Sequence, residues 1–158
     1  MKTKAQIRAK LDEAREKLNR VLDYVGDRWQ YPVYSDGLAW NVRQVLMHVV
    51  DADRGHNFQA MSYAEGKETI PADFDVQRYN ARTTEKYAFK TVEEARAELA
   101  RNRQALFEWL ENLEDEKLDR EGRHASGNIM TVRNILRIQA LHEQTHARDI
   151  AAALGIDV

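Results

Sequence analysis

Leu141-His142-Glu143-Gln144-Thr145-His146 lies in a run whose apolar members, Val132, Ile135, Leu136, Ile150, Ala153 and Leu154, share one side of a helix. Side chains four residues apart stand about 40° apart around a helix axis, with Cβ atoms about 5–6 Å apart. Projected this way, His146 falls inside the apolar stripe and His142 on its flank. An imidazole turned into a bundle interior without a partner costs on the order of 1–3 kcal/mol. Two rings at this spacing can instead grip one metal ion, provided a third ligand arrives from another helix.

Working outward, the same periodicity predicts three more long helices. The first runs from about Lys4 to about Val25, opened by a Thr3/Gln6 capping box and closed at Gly26. Its buried face is Ile7, Leu11, Ala14, Leu18, Val21 and Leu22, with Lys and Arg on a solvated opposite side. A linker, 27–40, carries Pro32 and the turn-forming Ser35-Asp36-Gly37. The second helix starts at the N-cap Asn41, with Trp40 stapled to Val45, and runs toward Ala64. The third opens at the Thr91/Glu94 capping box and carries Leu99, Leu106, Trp109, Leu110 and Leu113, with Asn102 as a satisfied core polar group. The last is capped by Thr131 and ends at Gly155. Residues 65–90 break the periodicity, apart from a short helix capped by Asp73 or Asp75, and 114–130 read as a polar loop. The fold class is therefore all-α, a four-helix bundle with a long crossover between helices two and three. Such a crossover is required if those two helices run parallel.

Composition bounds the function. A chain of 158 residues with a formal charge of −2 fits one domain, 1–158, and offers no basic patch for nucleic acid or an anionic membrane. Absence of cysteine removes thiolate ligands and a cysteine nucleophile, so a metal must rely on His, Asp, Glu or water. No apolar run approaches the roughly 18 residues of a membrane span. A soluble, cytoplasmic protein with a small-molecule substrate is the expectation.

The third ligand is His48, at the edge of the second helix's stripe, which can cross the ~8–10 Å between neighbouring helices. His48, His142 and His146 together make a three-imidazole site for a divalent ion (zinc, nickel or iron), with positions left for water or substrate. Each residue has a plainer reading: His56 as a hydrogen-bonded core histidine, His124 as a turn or surface residue, Asp51 and Asp149 as surface charges. Asp51 and Asp149 follow His48 and His146 by three residues, so either could orient an imidazole. His142-Glu143-Gln144-Thr145-His146 also satisfies H-E-x-x-H, in which the Glu is the general base of a zinc protease. Without a strand to align a peptide, that reading is weak. Glu143 is either an acid–base or orienting group near the metal, or a solvent-facing carboxylate. A non-catalytic bundle that binds a small molecule or a partner is the alternative to an enzyme.

Trp40-Asn41-Val42-Arg43-Gln44-Val45-Leu46-Met47-His48 resembles the tryptophan-led second helix of the DinB-like (YfiT-like) metalloenzyme superfamily. Phe74-Asp75-Val76-Gln77-Arg78-Tyr79-Asn80-Ala81-Arg82 resembles its long crossover. Gly122-Arg123-His124, Met130-Thr131-Val132 and the His142…His146 pair followed by Ile150 resemble its closing helix. The resemblance implies a four-helix bundle, a metal held by His48, His142 and His146, and a homodimer. It further implies thiol-dependent transferase or isomerase chemistry with a low-molecular-weight thiol such as mycothiol or bacillithiol, or hydrolysis with water in the thiol's place. Tyr79, Asn80 and Arg82 would then cover the open face of the metal.

Overall fold

The computed structural model describes residues 3–157. Among them five α-helices form: α1 (Lys4–Asp23), α2 (Val42–Ala64), α3 (Val76–Lys86), α4 (Val92–Asn112) and α5 (Val132–Leu154). The four long ones make the bundle, and α3 is the short helix of the crossover. Capping boxes at Thr3, Asn41 and Thr91 close in both directions, and Thr131 and Asp75 cap α5 and α3 from their side chains. Gly155 ends α5 in the left-handed conformation, φ 66°. α1 stops at Asp23, earlier than its pattern predicts. Tyr24 is its C-cap, and the left-handed Gly26 turns the chain two residues later.

Two apolar clusters fix the directions of the helices. One joins the end of α1 (Leu18, Val21, Leu22), the start of α2 (Val42, Val45, Leu46), the start of α4 (Ala95, Leu99) and the end of α5 (Ile150, Leu154). The other joins the start of α1 (Ile7, Leu11), the end of α2 (Ala60, Tyr63), the end of α4 (Leu106, Leu110) and the start of α5 (Val132, Ile135, Leu136). So α1 and α5 run one way, α2 and α4 the other. Helices two and three of the sequence pattern are parallel, and the crossover through α3 spans the length of the bundle between them.

Between the clusters lies a polar layer with one arginine or carboxylate from each long helix: Arg15, Asp53, Arg103 and Glu143, all buried. Arg15 thus departs from the solvated face assigned to the basic residues of α1. It stands four residues after Leu11 and three before Leu18, on the buried stripe itself. On α4 the buried polar residue is Arg103 and not Asn102, which is only half-buried. Trp109 is likewise half-buried, packed beside the second cluster.

Segment 114–130 holds more structure than a loop. A 3-10 turn (Asp115–Asp119) leads into an antiparallel hairpin of β1 (Glu121–Arg123) and β2 (Ile129–Thr131), with Gly122 opposite Met130. Strands of three residues are too short to reveal a two-residue alternation. Their support is tertiary: Tyr63 of α2 donates its hydroxyl to the Arg123 carbonyl, and its ring lies where a Cβ on residue 122 would stand, so only glycine fits there. Among the described residues no helix is long and apolar enough to cross a membrane.

Candidate metal centre

His48 enters from α2, His142 and His146 from α5, and the three rings meet. His142 Nε2 lies 2.9 Å from His48 Nε2 and 3.1 Å from His146 Nε2, and one donor atom from each ring falls within 4.8 Å of the others. His48 is buried and the α5 pair half-buried. The Trp40 indole packs on the His48 ring with centroids 4.7 Å apart. It is held there because the linker folds back on itself: Val33 N–H donates to the Trp40 carbonyl and Val42 N–H to the Tyr31 carbonyl.

The same fold-back brings Tyr34 to α5. Its hydroxyl donates to Asp149 Oδ2 at 2.8 Å and stands 2.9 Å from His146 Nδ1. With the hydroxyl proton given to Asp149, the Tyr34 oxygen can only accept, so His146 carries its proton on Nδ1 and turns the Nε2 lone pair inward. His142 Nε2 then faces two neighbouring nitrogens, and a single proton can satisfy only one of those contacts. A cation shared by the three lone pairs removes this conflict, and the donor set therefore fits a divalent metal.

Electrostatics keep the rings uncharged. Burial, reinforced by His146, lowers the His48 pKa to about 3 against the weaker opposing pull of Asp51. Burial also lowers His142 well below the usual range, with the other histidines adding to the shift, and lowers His146 against the opposing effect of Asp149. Neutral imidazole is the form that binds a metal.

The remaining sequence candidates divide between the site and the rest of the bundle. Glu143 is 1% exposed, which rules out a solvent-facing carboxylate. Its recorded partners are guanidinium groups: Oε1 accepts from Arg15 Nη2 at 2.5 Å and from Arg103 Nη2 at 2.9 Å. Burial pushes its pKa up against both arginines. Asp53 completes the cluster, accepting from Arg15 at 3.1 Å and from Gln139 at 2.8 Å. Of the two aspartates placed to orient an imidazole, Asp149 does so through Tyr34. Asp51 is buried and serves the crossover, accepting from Lys86 Nζ at 2.6 Å, Tyr87 Oη at 2.8 Å and Arg54 Nη2 at 3.1 Å. His124 sits in the hairpin turn as expected, but is buried there. Its Nδ1 accepts the Ser126 N–H at 3.1 Å, so its Nε2–H is directed at His56 Nε2, 3.2 Å away. That pair flanks His142, whose ring centroid lies 5.8 Å from that of His56. Tyr79 and Asn80 line a cavity beside the site.

Sequence reasoning missed Tyr34, the His56–His124 pairing and the arginine–carboxylate layer. Nothing local marks Tyr34 in an aperiodic linker. The layer had a signal, since Arg15, Asp53, Arg103 and Glu143 each occupy a stripe position on a different long helix.

A solved structure from Bacillus subtilis, YfiT, matches with a TM-score of 0.75 at 21% identity, over 98% of this chain and 89% of that one. YfiT is described as a probable metal-dependent hydrolase with an unusual four-helix bundle topology. At that identity the likeness establishes the fold. No curated protein sequence matches significantly. The model of the DinB superfamily matches residues 10–150, nearly the whole bundle from the first turns of α1 to the last turns of α5, and the chain belongs to that superfamily.

Proposed function

We propose that this protein is a metal-dependent enzyme acting on a small electrophilic molecule, with His48, His142 and His146 as the ligands of one divalent ion. The observation that carries the reading is the convergence of three Nε2 atoms that the available protons cannot all satisfy. Three protein ligands are the number found in catalytic sites, whereas closed structural sites take four. Zinc, nickel or iron(II) all suit three imidazoles. Such an ion, when bound, supplies Lewis acidity that brings a water or thiol toward ionisation near neutral pH.

The chain's own residues do the rest. Trp40 shields the His48 ring, and the Tyr34–Asp149 pair holds the orientation and tautomer of His146. Glu143 is a positioning residue that ties α5 to α1 and α4 through Arg15 and Arg103, which fixes the helix presenting two of the three ligands. α3 roofs the neighbouring cavity, held down by Asp51. The reaction is attack on the electrophile, by water in hydrolysis or by a low-molecular-weight thiol in S-transfer or isomerisation. The fold shared with YfiT, itself described as a probable hydrolase, favours water.

Metal analysis of protein purified without a histidine tag tests the reading. About one ion per chain is expected, lost in His48→Ala and His146→Ala. Metal far below stoichiometry in the parent protein, unchanged in both variants, would end the proposal.

A further inference from the structure

Beside the imidazoles a cavity of about 390 Å³ opens between α2, α3, α5 and the hairpin turn. This is the small end of the ~300–1,000 Å³ range of ligand pockets. Phe58, Ile70, Phe74, Val76 and Ile138 supply much of its wall, and His48 and His142 belong to it as well. Phe58, Val76 and Tyr79 are among the exposed large apolar side chains, at 62%, 38% and 42%, so the entrance as well as the interior is apolar.

Most polar groups of the wall already have protein partners, and the buried Gln59 Oε1, which has none, is an uncharged acceptor. Asp51 is engaged by Lys86, Tyr87 and Arg54, and its carboxylate is the one acidic group of the lining. His56 and His124 face each other through their Nε2 atoms, and Ser126 is bonded to His124. Among the described lining residues there is no lysine or arginine. An anionic ligand atom lying away from the three metal-ligand candidates would lose hydration and meet no cationic side chain among those lining residues, and a cationic one would find Asp51 already paired with Lys86 and Arg54.

We infer that this cavity takes the uncharged, apolar arm of the substrate, an aliphatic or aromatic body whose polar reacting group is directed at His48 and His142. The substrate class is then a neutral ester, amide or comparable electrophile, as opposed to a phosphorylated or polycarboxylated metabolite. The direction of the reacting group rests on the metal-enzyme reading above. The preference for an uncharged arm rests on the cavity wall alone.

Two fluorescent probes that share a skeleton and differ by one sulfonate make the test: N-phenyl-1-naphthylamine, which is neutral, and 8-anilinonaphthalene-1-sulfonate. Both are titrated against the full chain after chelator treatment and again after loading with zinc. The neutral probe is expected to saturate a single site at least about tenfold more tightly than the sulfonate, a factor equivalent to 1.4 kcal/mol. Ile138→Lys, at a half-buried wall position, should weaken the neutral probe and strengthen the sulfonate. Phe74→Ala should weaken the neutral probe and serves should the lysine variant not fold. Equal affinity for the two probes, or binding indifferent to both substitutions, would overturn the inference. Neutral-probe preference retained in a protein that binds no zinc would remove the metal reading and leave the cavity assignment standing. Stoichiometric zinc with a preference for the sulfonate in the chelated protein would do the reverse.

Discussion

Two polar clusters lie inside this bundle, and they are built on opposite principles. In the arginine–carboxylate layer, Arg15 and Arg103 meet Glu143 and Asp53, and spare guanidinium donors go to the backbone carbonyls of Leu99 and Leu11. Charge is balanced within the layer, and each long helix is tied to the others through it. The histidine cluster has no such balance. Its three rings are neutral, no carboxylate of the described residues touches their Nε2 atoms, and the contacts between those atoms lack enough protons. A charge-balanced cluster of this kind holds a fold together. Three uncharged donors that face one another are, under the function proposed above, the set a cation would join, and the balance of charge separates the two kinds of buried polar group without reference to any relative.

The sharpest way to break the comparison is to remove one partner from the charge-balanced layer. Glu143→Ala strands two buried guanidinium groups and should cost about 3–5 kcal/mol, read as a large fall in the denaturation midpoint. His48→Ala in metal-free protein removes a group that has no balanced partner, and should leave that midpoint close to the parent value. If the two variants behave alike, the distinction fails.

Next in size is the effect of metal. Zinc at a hundredfold excess over its dissociation constant should stabilise the parent by about 2.7 kcal/mol through mass action. Thermal melts of His146→Ala should show no zinc-dependent rise at the same concentration, whereas Glu143→Gln, if folded, should still show one.

Tyr34→Phe sharpens the picture of the histidine side. It deletes the hydroxyl between His146 and Asp149 but keeps the ring, so folding should change little. Zinc affinity should fall roughly 10–100-fold, the range for losing a group that orients a ligand. Competition against a chromophoric chelator measures this. Unchanged affinity would show that the tautomer of His146 does not depend on Tyr34.

The smallest effect concerns Asp51, which has charge partners like the first cluster yet lies three residues from His48 of the second. Lys86, Tyr79 and Tyr87 hold its carboxyl below the ordinary value of 3.8 against the opposing effect of burial. A depressed carboxyl pKa means the stabilisation is complete above that value and is lost as pH falls through the folded-state pKa, so the window lies below about pH 4. Asp51→Asn at neutral pH should loosen α3, seen as faster amide exchange over 76–86, with a loss of about 1 kcal/mol or less for its partly exposed ion pairs. The zinc content of the protein should be unaffected. A matching loss of zinc would place Asp51 with the metal site instead.

Much of the scaffold was readable from local chemistry. Thr3, Asn41, Thr91 and Thr131 announce their helices because capping involves residues only three apart, and Gly155 marks the end of α5 through its left-handed φ. The His142/His146 spacing is equally local, and the edge position of His48 on the second stripe was enough to propose the third ring. The crossover was legible as a consequence of parallel helices. The hairpin was not, since strands of three residues carry no periodicity and their stability comes from Tyr63.

What the sequence determined by itself, then, is which residues form helices, which face each helix buries and which three imidazoles could meet. Tertiary structure alone decided the partners: Arg15 turned inward, Glu143 taken by two guanidiniums, His124 carried by a hairpin to His56, Tyr34 set behind His146. The physical reason is range. Periodicity and capping are settled within a turn or two of chain, whereas a buried charge or a ring nitrogen is settled by whatever another helix places within about 3 Å of it.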